Sequence, residues 1–432
     1  MIDSIKALED FFDSHAPSLN TALRDNRLER MRLLLKHLGN PEDSFRAIHI
    51  AGSKGKGSTA AYISKLLEAS GKRTGLYMSP HLCSIKERFT LSAAFFPEEA
   101  YIEAGRELED AISGFSLPSD LGPSLPTTFE LYTAYAYMLF RKEGCTHAVI
   151  ETGLGGRLDA TNTIMPIASV IMPIELEHTA VLGSTLSEIA YEKSKIIKRN
   201  VPVFISNQRK EAMDVLVEEA RSQSAPLFLA ESEIRDLESS TKADGEHVSF
   251  MIDDSSFSIT LRMATKAMAE NASVAILAAK RLGFLTEAGI REMESLQLPG
   301  RFERTVYKGR NMVFDVAHTA RSIRAAREAF SSIYCMEEST LLFSLIEGKD
   351  DIAIMKEIIP HFARIIISKP GTFRKSNIER LYEEASTLFP DKDIMLIPDS
   401  HEAVSKAMEG KGDILITGSF YLASAIKEAL WD

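Results

Sequence analysis

Gly52-Ser53-Lys54-Gly55-Lys56-Gly57-Ser58-Thr59 sets three glycines and two lysines directly behind an apolar, β-branched run that begins at Phe45. Glycines let successive backbone N–H groups face one anion with no Cβ in the way, and a helix that starts there adds its positive end. Lys56 is placed to reach outer phosphates, so the stretch reads as a phosphate cradle. It departs from the strict G-x-x-x-x-G-K-[ST] template, because Ile50 stands where the first glycine belongs and Gly57 where the hydroxyl belongs. An ordinary Gly/Lys-rich turn is the plain alternative, and the rest of the chain has to decide.

Three further strand tips carry polar chemistry. The run 147–150 is apolar but ends in Glu151, followed by the Gly-rich Thr152-Gly153-Leu154-Gly155-Gly156-Arg157-Leu158-Asp159. A capped turn explains the glycines, but not an acid at the end of a buried-type strand. The strand 167–174 ends in Glu175-Leu176-Glu177-His178, and the strand 74–78 ends in Ser79-Pro80-His81-Leu82. Hard Mg²⁺ takes a few protein oxygens and fills its shell with water and phosphate, so Ser79, Glu151 and His178 form a candidate set. Taken singly, a His at a strand end is usually just hydrogen-bonded, and Ser-Pro-His is usually a turn. Glu192, Lys193 and Lys195, on a helix over 186–197, read as a solvated face.

The elements that position these tips alternate along the chain. Two amphipathic helices fill residues 3–38, Gly39-Asn40-Pro41 stops them, and a strand, the glycine loop and a helix follow. Helices are expected over 97–112 and 128–142, separated by a Pro/Gly/Ser-rich loop at 116–126. A strand over 201–206, a helix, strands over 247–252 and 257–262, and helices over 264–281 and 286–296 complete this half. Leu298-Pro299-Gly300-Arg301 marks the linker. Beyond it, strands near 311–315, 340–345, 363–368, 393–397 and 413–417 alternate with helices, as a smaller, mostly parallel α/β domain requires. Its first strand ends in Asp315-Val316-Ala317-His318, at the edge where such sheets take ligands. The expected division is 1–297 and 298–432.

At 432 residues, 45% apolar and 26% charged, the chain has the composition of a globular protein of about two or three domains. A net charge of −11 argues against a general nucleic-acid binder. Cys83, Cys145 and Cys335 are too scattered for a disulfide framework or a thiolate metal site. No apolar run is long enough to span a membrane, and the acidic, amphipathic first residues do not resemble a signal peptide, so a cytoplasmic location is expected.

Together the stretches resemble the folylpolyglutamate synthase and dihydrofolate synthase family, a branch of the Mur-type amide ligases. The likeness rests on GSKGKGST at 52–59, SPHL at 79–82 with Glu87-Arg88, ETGLGGRLDATN at 151–162, Glu177-His178-Thr179, Glu192-Lys193, LPGR at 298–301, DVAH at 315–318 and TGSFYL at 417–422. It covers nearly the whole chain, and the shortened glycine loop is the form that family uses.

The resemblance implies an α/β fold, with a large P-loop-type ATPase domain on a mostly parallel sheet and a smaller Rossmann-like C-terminal domain. It implies a monomeric ligase that uses ATP and Mg²⁺ to join L-glutamate to dihydropteroate or a folate through an acyl phosphate. Gly52, Ser53, Lys54, Gly55, Lys56, Gly57 and Ser58 would cradle the triphosphate. Ser79, Glu151 and His178 would hold two Mg²⁺ ions, with Lys193 carbamylated and helping to bind the second. Asn271 would lie near the base, Arg301 and Asp315 would contact ATP from the other half, and His318 would sit near the phosphates. Lys56, Lys193 and His318 would carry the catalysis. Departures from the family pattern are Lys54 for Asn, Glu177 for Asp, Val316 and Thr319 for Gly and Asn, Ala267-Met268 for His-Gln, and Ile85 for an aromatic residue. Two alternatives stand beside this reading: a Mur-type ligase with another carboxylate acceptor, as in peptidoglycan precursor synthesis, and a nucleotide-binding paralogue without catalysis.

Overall fold

A computed structural model describes residues 1–15, 26–347, 350–370 and 376–431. By contact density the chain divides into two compact units, one of residues 1–237, 250–257 and 270–293, the other of 238–249, 258–269 and 294–432.

The first unit is built on a sheet of β1 (Arg46–Ala51), β2 (Thr74–Tyr77), β3 (Phe89–Leu91), β4 (His147–Glu151), β5 (Ala168–Ile171), β6 (Val203–Ile205) and β7 (Leu227–Leu229), in the order β3-β2-β4-β1-β5-β6-β7. Only the edge strand β3 runs antiparallel to its neighbour. The other pairings are parallel, with β1 between β4 and β5. Strands buried on both faces need continuous apolar runs, which is what Ile48, Ile50, Val149, Ile150, Val170 and Ile171 supply, each fully buried. The chain leaves β1 to build one side of the sheet and returns through β5 to build the other. Such a reversal opens a crevice at the carboxyl ends of β1, β4 and β5, and it brings the glycine loop, Glu151 and the 172–178 loop to one edge.

One face of this sheet carries an aromatic core in which Phe12, Phe89, Tyr132 and Tyr135 meet edge-on or tilted, with ring centroids 4.6–6.0 Å apart. Farther along the same face, where Ala51, Ile171, Val203 and Ile205 continue the side that carries Ala47, Ala148 and Ile150, the cover is helices Leu186–Ser194 and Lys210–Ser222. A small sheet of β8 (Ile234–Lys242), β9 (Gly245–Ile252) and β10 (Ser255–Leu261), ordered β10-β9-β8, has residues in both units.

The second unit holds β11 (Glu303–Tyr307), β12 (Arg310–Phe314), β13 (Thr340–Phe343), β14 (Arg364–Ile367), β15 (Asp393–Leu396) and β16 (Ile414–Thr417), ordered β11-β12-β16-β13-β14-β15. All pairs are parallel except the β11–β12 hairpin. The mixed, mostly parallel α/β architecture is the one expected. The sequence reading passed over the short strands β3, β7 and β11 and the nine-residue β8.

Candidate active site

The glycine loop leaves β1 at Gly52, where φ is +149° and a Cβ would lie 2.7 Å from Met172. The N–H groups of Ser53 and Lys54 both point at the Pro173 carbonyl, at 2.8 and 3.3 Å, and the Ser53 hydroxyl donates to the Glu175 carbonyl at 3.2 Å. These bonds tie the first part of the loop to the segment after β5. The backbone N–H groups of this first part are therefore spent. Gly55, at φ +80°, caps helix Lys56–Ala69, whose first intrahelical bond runs from the Thr59 N–H to the Gly55 carbonyl at 2.9 Å. The N–H groups of Lys56, Gly57 and Ser58 precede that bond, in the turn where a helix offers its donors and positive end to anions.

Glu151, 5% exposed, faces that turn. Its carboxylate lies 3.8 Å from the Lys56 ammonium and accepts the Ser79 N–H at 3.1 Å. A Cβ at Gly57 would sit 3.4 Å from the same carboxylate, so the glycine sets how closely helix and acid approach. Asn271 closes the loop from another side, since a Cβ at Gly55 would lie 2.3 Å from its Oδ1.

Lys193 overturns the solvated-face reading, because it is 1% exposed and Glu192 is 7% exposed. The lysine donates to the Gly52 carbonyl at 2.7 Å and pairs with Glu177 at 3.1 Å. Burial, joined by the charge of Lys56, pushes its pKa down to about 8 against the opposing pull of Glu177. Burial alone would raise Glu177, but Lys193, Lys56 and Lys54 together hold it below the usual carboxylate range. The Gly-rich turn explains how the helix comes so near. A Cβ at Gly156 would lie 2.9 Å from the Glu192 carbonyl, which accepts the Arg157 N–H at 2.7 Å, and Arg157 Nε pairs with the Glu192 carboxylate at 3.1 Å.

The structure thus brings Lys56, Gly57, Ser79 and Glu151 into one group, and Gly52, Glu177 and Lys193 into another beside it. His178 is exposed and left-handed, at φ 48°, ahead of the four-residue helix Thr179–Leu182. Among the described residues no three His, Cys, Asp or Glu side chains gather as a metal cage. One buried carboxylate beside a phosphate-binding turn nonetheless suits Mg²⁺, which is commonly held by one or two carboxylates plus substrate phosphates. Lys193 as an ammonium has no lone pair to offer a metal.

A cavity of about 340 Å³ in the same unit is lined by Ser79, Arg27, Arg88, Thr127, Phe129 and Asp159, among others. Apart from Ser79, none of these was singled out from sequence as a site residue. A Cβ at Gly153 would lie 2.2 Å from the Phe129 ring, so the glycine admits the aromatic wall. Thr127 and Glu130 form a capping box that starts helix Thr128–Lys142 at the cavity. That Thr-x-x-Glu pattern behind a Pro-rich loop was the available signal. Burial raises Asp159, whose carboxylate is engaged by the Leu154 N–H at 2.8 Å and by Thr161.

In the second unit three loops meet at the carboxyl ends of β12 and β16. Asp315 accepts the Phe302 N–H at 3.0 Å and the Ala317 N–H at 2.9 Å. Burial raises it to about 6, against those N–H groups and the Arg301 charge, although one edge stays open to solvent. The Arg301 guanidinium lies over the Phe420 ring, 5.2 Å from its centroid. His318 Nδ1 meets the Val316 carbonyl at 3.0 Å, which puts a proton on Nδ1. Val316 is buried and donates to the Gly300 carbonyl at 3.0 Å, and Thr319 caps helix Ala320–Ile333. Both departures from the family pattern are therefore absorbed in local structure.

The model of the Mur ligase middle domain matches residues 50–279. The chain belongs to the Mur ligase family. It is 28% identical over 412 residues to the dihydrofolate synthase/folylpolyglutamate synthase of Bacillus subtilis, covering 93% of this chain and 94% of that one. The Mycobacterium tuberculosis folylpolyglutamate synthase solved with ADP superposes with a TM-score of 0.88 at 26% identity, over 99% of this chain and 98% of the other. A folylpolyglutamate synthase–AMPPCP–folate complex matches at TM-score 0.80 and 27% identity, over the full length of both chains. The resemblance drawn from the motifs is borne out. Among the described residues no helix is long and apolar enough to cross a membrane.

Proposed function

We propose that this Mur ligase family member is an ATP-dependent amide ligase that joins L-glutamate to dihydropteroate, to a folate, or to both. The observation that carries the reading is the meeting of Lys56, the Gly55–Ser58 turn and Glu151 beside a cavity with an aromatic wall. The relatives' names and their nucleotide and folate complexes support it.

A carboxylate is a poor electrophile, so the γ-phosphoryl group of ATP passes to it first, giving an acyl phosphate and ADP. The glutamate amine then attacks the acyl carbon, and the C–O bond to phosphate breaks. Both steps gather negative charge, which the N–H groups of Lys56, Gly57 and Ser58 and the Lys56 ammonium are arranged to balance. Mg²⁺, when bound, would neutralise phosphate charge, and Glu151, Ser79 and His178 are the residues assigned to hold it. Lys193 holds the Gly52 carbonyl as an amine; as a carbamate it would offer a further anion. Asn271 is assigned to the nucleotide, as are Arg301, Asp315 and His318 of the second unit, with the functional division at 297/298. The protein is proposed to act as a cytoplasmic monomer.

Phosphate release that depends on ATP and L-glutamate, compared across dihydropteroate, a reduced folate monoglutamate and a muramyl peptide, tests the reading. Release with either pterin compound is expected. Release with the muramyl peptide alone, or with none from folded, ATP-binding protein, overturns it.

A further inference from the structure

Arg88 closes the 3₁₀ turn Ile85–Arg88 and lines the cavity next to Ser79. Its carbonyl accepts the Met78 N–H at 3.0 Å, so it is held level with the strand end that presents Ser79 to Glu151. What surrounds its guanidinium is electrically unusual. Nε donates to His81 Nδ1 at 2.7 Å, and the guanidinium carbon lies 4.5 Å from the centre of the Tyr132 ring. Neither neighbour is an anion. Because Nδ1 accepts from Arg88, the His81 imidazole carries its proton on Nε2.

The acids nearby are occupied elsewhere. Glu87 takes the N–H groups of Leu82, Cys83 and Ser84 at 2.6–3.0 Å. Glu130 is bound by the fully buried Arg30 through Nε at 3.0 Å and a terminal nitrogen at 3.1 Å. Asp159 is engaged by Leu154 and Thr161. Among the described residues no carboxylate pairs with Arg88, and its two terminal nitrogens make no hydrogen bond. A guanidinium braced by an imidazole and an aromatic face, with its fork unspent, suits a planar, bidentate anion.

We infer that Arg88 reads the carboxylate of the acceptor, gripping it at the Ser79 end of the cavity and rejecting neutral analogues. This rests on the ligase reading above. It assigns to Arg88 a role in selecting the acceptor, not in binding ATP.

The test is calorimetric binding, without ATP, of dihydropteroate and of its primary carboxamide to wild type, Arg88→Gln and Arg88→Lys. A charge-assisted bidentate contact predicts that wild type prefers the carboxylate by roughly ten- to a hundredfold. Arg88→Gln should bind both compounds alike, at the carboxamide's affinity, while Arg88→Lys keeps a weaker preference. Equal loss of both ligands in Arg88→Gln marks a structural role and overturns the inference, as does a preference that survives the substitution. If Arg88→Gln does not fold, the Arg88→Lys comparison decides: an undiminished preference rejects the fork. If wild type binds neither compound and turns over no pterin, the ligase reading fails, and this inference with it. If wild type turns over dihydropteroate but binds carboxylate and carboxamide equally, only this inference fails.

Discussion

The glycine-loop group of the first unit and the loop cluster of the second spend their polar atoms differently. Around Lys56 the charged groups face one another, with Lys56 3.8 Å from Glu151, Lys193 on Glu177, and the first-turn N–H groups of the helix ahead of any intrahelical bond. In the second unit the same kinds of atoms hold loops in place. Both Asp315 oxygens take backbone N–H groups, and Glu303 takes the Gly300 N–H at 2.8 Å and Lys427 at 2.6 and 2.7 Å. The first arrangement is poised for charge that arrives with a substrate; the second supplies fixed shape. Substitutions at the charged groups of the first region should therefore weigh on turnover, and those at the loop-holding groups of the second should weigh on stability as well as on the nucleotide contacts proposed for it.

Lys56→Ala is the sharpest way to break that contrast. Loss of on the order of 10²- to 10³-fold in kcat is expected, since an oriented cation is removed from developing charge. Thermal stability should fall much less than for a core truncation, because the 3.8 Å pair with Glu151 is loose and Glu151 keeps the Ser79 N–H. A fall in melting temperature comparable to that of a core mutant would mean the lysine is structural. Lys193→Ala should come next, at roughly 10- to 100-fold, the range typical of groups that orient a metal site. If a carbamate is the working species, formate or acetate should restore part of the rate; full activity in the variant would remove Lys193 from the mechanism.

Legibility in the sequence follows the same divide. The glycine loop could be read because its chemistry is local: the turn, the helix start and Lys56 are contiguous. Glu151 could be read because an acid ending an apolar strand is costly without a purpose. Lys193 was misread from its local pattern because its burial depends on Gly156 admitting the helix that carries it, a contact across 37 residues by numbering (193 − 156). The cavity was missed because its lining is drawn from residues 27 to 160, joined only by the fold. β3 and β7, of three residues each, are too short to show a period, and β11 lies directly behind the linker signal that drew attention away from it.

Asp315 gives the next effect, in stability. Its folded pKa of about 6 lies above the ordinary value near 4, so between those pH values the native state holds a proton that the unfolded chain has lost. This group's contribution to stability should therefore fall as pH rises from about 4 to about 6 and stay low above that. Urea denaturation across the window should show a steeper decline for wild type than for Asp315→Asn. The variant should also be less stable overall, since its amide nitrogen cannot accept a backbone N–H. Equal slopes would show that Asp315 titrates normally, and the second region would lose its best example of a charge buried to hold a loop.

The smallest effect concerns Thr319, which stands where the family pattern has Asn. Its hydroxyl accepts the Ser322 N–H at 3.3 Å, and the Ser322 hydroxyl accepts the Thr319 N–H at 3.0 Å, a reciprocal cap on helix Ala320–Ile333. Thr319→Ala should cost about 1 kcal/mol of stability, and Thr319→Asn much less, since both Thr and Asn cap well. If the residue only caps, neither variant changes kcat, and KM for ATP moves no more than the loss of folded protein explains. A tenfold rise in KM for ATP in Thr319→Ala, with stability intact, would place the hydroxyl against the nucleotide. Thr319 would then join Arg301, Asp315 and His318 among the residues assigned to the nucleotide, and the contrast with the glycine loop would narrow to one of degree.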